Sequence, residues 1–413
     1  MEKHHIEIMS PVGSFESLMA AIQGGANAVY FGVGKLNMRA RSSVNFSLDD
    51  LETITGICRE HGLHSYLTLN TVVFDEELIE INRIVDAAKE HGVSAIIASD
   101  FAVLEYARSI GMEVHISTQC NITNLAAVKF FARYADVMVT ARELNLDQVA
   151  SIIREIETQK ICGPSGELVK IEIFVHGALC MAVSGKCYLS LDNFNHSANR
   201  GACLQPCRRT YTVKDKESDL ELEVDNEYIM SPKDLKTIDF LDKILEAGVS
   251  VLKIEGRGRA PEYVKTVTRI YREAVDAYFD GTFTQDNIDR WNAELSSVYN
   301  RGFWDGYYQG QKVGEWTVKY GSRATMRKEY VGKVTNYFAK LNVAEILIEA
   351  QPLNVGDAIQ INGATTGVYE DQLNEIRVSL QTTQTAVKGE LCSIPVTSLV
   401  RRNDKLYKMV LNV

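Results

Sequence analysis

Four of the eight cysteines in this 413-residue chain fall in one short stretch, Cys180, Cys187, Cys203 and Cys207, with gaps of six, fifteen and three residues. Thiols gathered just after an apolar strand are hard to explain as packing. Their thiolates are ligands for zinc or for an iron–sulfur cluster. Structural zinc usually takes two tight pairs, each with roughly two to four residues between its members. Only Cys203 and Cys207 form such a pair. The wider gap from Cys180 to Cys187 suits a bulkier object reached from separate loops, and a 4Fe-4S cluster is one. The spacing therefore favours the cluster, keeps zinc as the second identity, and leaves unmetallated thiols as the third. Cys58, Cys162 and Cys392 read as ordinary packed thiols. Cys120 lies at a strand end and is either a functional thiol or core. His176, four residues before Cys180, is either a proton donor or a strand-end histidine satisfied by backbone.

These residues must be placed by a scaffold. Strand-like segments recur near residues 6, 28, 65, 95, 115, 138, 173 and 252. Helical patterns between them cover 15–23, 76–90, 101–109, 125–134, 146–156 and 234–247, and longer ones follow at 261–278 and 285–298. Ser14 is placed to cap the first helix. Alternating strands and helices imply parallel strands, and eight of them predict an α/β fold, an eight-stranded (β/α) TIM-type barrel. An open doubly wound sheet is the alternative. The cysteine stretch is then an insertion after strand seven. Composition shifts near Gly310, giving a barrel over 1–311, a linker over 312–328, and a C-terminal small antiparallel β-barrel domain over 329–413, rich in β-branched residues and glycine turns.

In such a barrel, chemistry gathers where strands end at their C-termini. The strand ends here carry Arg39, Arg41, Asn70, Gln119, Asn121, Arg142, His176, Lys253, Glu255, Arg257 and Arg259. Arginines from three separate loops predict an anionic ligand, because guanidinium grips carboxylate or phosphate with a bidentate fork. Arg39, Arg41, Asn70, Arg142, Arg257 and Arg259 are the candidate substrate-binding residues, and His176, Gln119 and Asn121 the candidate catalytic ones. The competing reading is that some arginines pair with Asp100, Glu143 and Glu255.

The formal net charge is −10, which argues against a generally adhesive nucleic-acid binder but not against a local basic face. Arg200, Arg208, Arg209, Lys214 and Lys216 form one candidate patch, and Arg401, Arg402, Lys405 and Lys408 another. The acidic segment 217–227 is expected to lie away from any bound nucleic acid. An apolar fraction of 46% supports full cores, and a charged fraction of 24% gives no sign of disorder. No apolar run is long enough to span a bilayer, and the first residues lack the apolar core of a signal peptide. A cytoplasmic location is expected, with its cysteines reduced or metal-bound.

The segment FVHGALCMAVSGKC at 174–187, followed by Gly201, Cys203, Cys207 and Arg208, resembles the signature of the collagenase-like peptidase family U32, and within it the tRNA-hydroxylation branch. The resemblance extends to MSPVG at 9–13, AVYF at 28–31, Arg39, STQ at 117–119, REL at 142–144 and KIEGR at 253–257. It implies oxygen-independent 5-hydroxylation of the wobble uridine of tRNA. It further implies prephenate, a small dicarboxylate, as hydroxyl source, and a 4Fe-4S cluster on the four cysteines. The family name implies a peptidase as one alternative to weigh, and a non-catalytic assembly factor that uses its terminal domain to recruit a partner enzyme is another. A thiol peptidase would need a cysteine paired with histidine, for which Cys180 and His176 are the candidates.

Overall fold

The computed structural model describes residues 6–41, 45–212, 228–311 and 314–412. Strands β1 (Glu7–Pro11), β2 (Ala28–Phe31), β3 (His64–Leu69), β4 (Ala95–Ala98), β5 (Val114–Ile116), β6 (Val137–Val139) and β7 (Lys170–Ala178) pair in parallel, each with the next. After β8 (Asp234–Lys236), β9 (Val251–Ile254) pairs in parallel with both β7 and β1 and closes the ring. The eight parallel strands coincide with the eight read from the sequence. The TIM-type barrel is therefore the fold.

Helices cover the outside of the ring. Ser14 caps Phe15–Gln23 by accepting the backbone N–H of Ser17 at 3.2 Å. Apolar positions on Leu78–Glu90 (Ile81, Ile84, Val85, Ala88) recur every three to four residues and are buried, as a helix seated on a sheet requires. Leu51–Glu60 is a helix that the pattern reading missed. Residues 234–247 depart from the expected helix. Asp234–Lys236 is instead a short strand antiparallel to the end of β7, and the helix begins only at Leu241–Glu246. The pairing fixes His176 opposite Lys236 and Ala178 opposite Asp234, so the mouth of β7 is lined on one side by strand.

The C-terminal region is an eight-stranded antiparallel sheet, beginning at Met326–Phe338, with a separate core that includes Val331, Ile346, Ile361 and Leu406. Gln23, at the end of the first helix, donates to Thr366 O and accepts from Val368 N, tying that sheet to the barrel. The segment before the sheet is pinned as well, since Thr317 N donates to Ser231 O and Arg323 N to Asn300 O. Among the described residues, no helix is long and apolar enough to cross a membrane.

Candidate functional site

A cavity of about 310 Å³ opens at the C-terminal end of the barrel. All four cysteines of the insertion line it. So do Arg39, Asn70, Gln119, Arg142, Arg257 and Arg259, three further cations (Lys253, Arg208 and Arg301), and Glu255.

The insertion between β7 and β8 is mostly turns. A six-residue helix, Leu189–Phe194, ends at Asn195 with φ +53°, and 3-10 turns at Ala198–Arg200 and Pro206–Arg208 carry the chain past Cys203 to Cys207. Side chains stitch these turns to the barrel. Arg208 donates to Leu179 O at 2.6 Å, Pro232 O at 2.6 Å and Ser231 Oγ at 3.0 Å. Asn121 donates to Ser184 O at 2.9 Å, and Arg41 N donates to Gly201 O. Arg200 pairs with Glu77 at 2.6 Å and lies 3.8 Å from the Phe74 ring centroid.

The four thiols are free and feel one another. Burial pushes the Cys207 thiol up to about 11, against the lowering effect of Arg208, and the other three cysteines add to the rise. Cys187 is raised by burial and by Cys180 and Cys203. Four thiols on one wall suit iron–sulfur ligation in kind and number. Among the described residues, no three His, Cys, Asp or Glu side chains are grouped as ligands of a single metal ion.

Cations line the same cavity. Arg257, 6% exposed, donates to Thr68 Oγ1 at 3.0 Å and Asn37 Oδ1 at 2.8 Å, and burial lowers its pKa to about 10. Its two hydrogen-bond partners are neutral, and the Glu255 carboxylate, which also pairs with Arg39, acts on its charge. Arg39 pairs with Glu255 at 2.9 Å. Burial alone would raise the Glu255 pKa, but Arg39 and Arg259 outweigh it and hold the carboxyl below its usual range. Arg259 lies 3.6 Å from the Tyr299 ring centroid, and Arg301 pairs with Asp234 at 3.3 Å. Lys253 pairs with the fully buried Glu172 at 2.6 Å. Seven cations line the cavity, and Glu255, Glu172 and Asp234 oppose them, leaving an excess of four. Such an excess in a poorly hydrated space favours an anion. Of the acids expected to compete for the arginines, Glu255 pairs with one, Arg39, among the described residues. Asp100 instead caps a helix by accepting Ala102 N, and also accepts Val73 N.

Three candidates lie elsewhere. His176 is 1% exposed, does not line the cavity, and packs against Tyr263, Tyr271 and Phe303 at ring distances of 5.5–5.9 Å. Burial lowers its pKa to about 3, with Lys236 and Arg259 adding to the effect, which holds the ring neutral. Asn121 is a clamp on the insertion, in the left-handed region at φ +50°, and does not line the cavity. Arg41 is exposed beside it and contributes its backbone.

In the expected basic patch of the insertion, Arg208 is hydrogen-bonded and Arg200 paired as above, while Arg209 is exposed and lies over Phe194 at 4.8 Å. Lys214, Lys216 and the acidic segment 217–227 lie outside the described residues. Arg401, Arg402 and Lys405 are exposed, whereas Lys408 sits 3.8 Å from Glu329. Cys120 is no surface thiol: burial pushes it up to about 12, and its Sγ faces Ser99 O. Arg301 escaped notice because it follows the last barrel helix and marks no strand end.

Comparison with known proteins places this architecture. Residues 13–317 match the model of peptidase family U32. A Porphyromonas gingivalis protein named collagenase is 59% identical over 408 residues, 99% of each chain. The Bacillus subtilis tRNA hydroxylation protein P1 is 31% identical over 344 residues, 80% of this chain and 77% of that one. The Escherichia coli 23S rRNA 5-hydroxycytidine C2501 synthase is 35% identical over 281 residues, 68% of this chain and 41% of that one. The chain belongs to peptidase family U32.

Proposed function

We propose that this chain hydroxylates RNA, acting on the wobble uridine of tRNA, with a prephenate-like dicarboxylate among the cations of the cavity and a 4Fe-4S cluster on the four cysteines. The observation that carries this reading is the convergence of the four thiols and the cations on one cavity. The relatives named for tRNA and rRNA hydroxylation supply the substrate class.

Cys180, Cys187, Cys203 and Cys207 would hold the cluster, which supplies one-electron chemistry when bound. Arg257 and Arg39 stand where a carboxylate would be gripped. Arg142 donates to Ala182 O, and its buried Nε has no hydrogen-bond partner among the described residues, leaving a donor for a ligand. The exposed Arg401, Arg402 and Lys405 are available to phosphates, which position RNA without reading its sequence. An unstacked base would enter the mouth of the cavity.

Anaerobic purification should give a brown protein with iron and sulfide near four of each, and the Cys180→Ala variant should lose most of both. Nucleoside analysis of tRNA from a deletion strain should show loss of 5-hydroxyuridine derivatives, restored by the wild-type gene and not by the variant. Unchanged nucleosides, in a strain with no second homologue, would overturn the role.

The relative named collagenase keeps peptidase as a second reading. The geometry supports it less. No hydrogen bond joins a histidine to any of the four thiols among the described residues, and His176 is buried away from the cavity. Gelatin cleavage by pure protein, abolished in Cys180→Ala while the fold and the metal-free state are matched, would favour this second reading.

A further inference from the structure

Among the described residues, Lys253 is the one amine lining the cavity, and its surroundings differ from those of the arginines. It stands on β9 opposite Phe174 of β7, both facing the barrel interior. It is 4% exposed. The rings of Tyr30 and Phe174 flank it at 4.7 and 5.6 Å. Its Nζ meets Glu172 Oε1 at 2.6 Å, while Glu172 Oε2, buried, has no hydrogen-bond partner among the described residues. The Tyr30 hydroxyl is already committed to Ile254 O at 2.9 Å. Glu255 is committed to Arg39 and to Ala178 N. Glu172 is thus the acid–base partner available to this amine.

A buried ion pair at the floor of an anion-binding cavity is an expensive way to fill a barrel, since apolar residues of the same volume would serve stability as well. An amine walled by aromatic rings, with a carboxylate to carry its proton, is the arrangement that makes lysine a nucleophile toward carbonyls. We propose that Lys253 forms an imine with the carbonyl of a 2-oxo acid whose carboxylates are held by the surrounding arginines. This rests on the dicarboxylate reading of the cavity only for the choice of ligand.

The step balances without an oxidant or reductant. Glu172 accepts a proton from the Lys253 ammonium, and the freed lone pair adds to the carbonyl carbon. The oxygen of the resulting adduct takes up two protons, one from the newly bonded nitrogen and one returned by Glu172, and leaves as water. The carbon–nitrogen double bond remains as a protonated imine. Such an imine draws electrons from the carbon next to it and so activates the bound acid.

Trapping with sodium cyanoborohydride tests the proposal without RNA and without the cluster. Full-length protein is incubated separately with prephenate, 2-oxoglutarate and glutarate, then digested and mapped by mass spectrometry. With the two oxo acids, the Lys253 peptide should gain the mass of the acid less water plus two hydrogens. Glutarate, which lacks the carbonyl, should leave it unchanged. The Lys253→Met/Glu172→Gln double variant, which leaves no buried charge unpaired, should lose the label. Absence of label at Lys253 in folded wild-type protein, or labelling no stronger there than at surface lysines, overturns the proposal. If prephenate raises the melting temperature but leaves Lys253 unlabelled, the imine fails and the dicarboxylate reading stands. If Lys253 is labelled but tRNA from the deletion strain is unchanged, the imine stands and the hydroxylase reading fails.

Discussion

Arg208 donates to the carbonyl of Leu179 at 2.6 Å, so the residue after Cys207 is bonded to the residue before Cys180. Two cysteines separated by 26 intervening residues are thereby held on one wall. The same guanidinium reaches Pro232 O and Ser231 Oγ, which anchors the insertion to the start of β8. Replacing Arg208 with alanine leaves buried acceptors unpaired and should cost about 2–4 kcal/mol. Arg208→Lys keeps the charge but cannot span three acceptors, so it should recover less than half of that. The sharper readout is iron content after reconstitution, which should fall in both variants. Full iron loading in Arg208→Ala would show that the cysteines find their places without this bond.

Glu255→Gln tests the ion pair with Arg39. The pair is partly screened, with Glu255 17% and Arg39 33% exposed, so the loss near neutral pH should be about 2–3 kcal/mol, below the figure for a fully buried pair. The native carboxyl titrates below its reference value of 4.5. Its contribution is therefore complete above about pH 4.5 and disappears as pH falls through the lowered native value. Urea titrations of wild type and variant should show a gap that is constant from pH 8 to pH 5 and narrows under more acidic conditions. A gap that widens in acid would contradict this assignment.

The barrel was legible because each strand–helix unit writes its own period, as the capped, regularly patterned helix Phe15–Gln23 shows. Leu51–Glu60 was not legible. Its buried face is Leu51, Ile54, Thr55 and Cys58, but Gly56 and four β-branched residues (Thr53, Ile54, Thr55 and Ile57) dilute local helix preference, so packing decides. β8 was missed for a similar reason, since a three-residue strand is defined by its partner β7 and not by its own residues. At the site, arginines at strand ends could be read because barrel geometry assigns them to one face. Arg208 could not, because nothing in the order of residues says that its side chain turns inward rather than toward solvent. His176 was not placed by the sequence because a strand end can hold a histidine at the mouth or behind it, and Tyr263, Tyr271 and Phe303 pack around this one.

Gly201 should be intolerant of any side chain. It adopts φ +79°, and a Cβ there would collide with Asn37 O and press on Ala40 Cβ. Two residues later comes Cys203, and the facing loop carries Arg39, so the contact sets the distance between that thiol and that cation. Gly201→Ala should lower stability by about 1–3 kcal/mol through backbone strain and displaced neighbours. It should also weaken both cluster loading and protection by prephenate in thermal unfolding. Gly310→Ala, where the φ is +83° but nothing stands within 4 Å, supplies the control for backbone strain alone. Equal effects from the two substitutions would show that the close approach at Gly201 is of no consequence.

The buried neutral state of His176 predicts a pH dependence of stability. Its native pKa is lowered to about 3 from a reference of 6.5, by burial first and then by Lys236 and Arg259. In the unfolded chain it protonates as pH drops below 6.5, whereas the native imidazole does not follow. The unfolded state then binds more protons, and stability falls with pH. Between pH 7 and pH 5 this histidine alone should remove about 2 kcal/mol from the wild-type protein. His176→Gln removes the titration but keeps a polar side chain near Tyr271, whose hydroxyl lies 3.4 Å from Nδ1. The variant should be less stable at pH 7 and should close much of the gap to wild type by pH 5. The proposed RNA-hydroxylating activity, measured at a temperature where both proteins are folded, should remain within a few-fold of wild type, since His176 does not line the cavity. A loss of activity of a hundredfold or more with an unchanged melting temperature would return His176 to the reaction as a proton carrier.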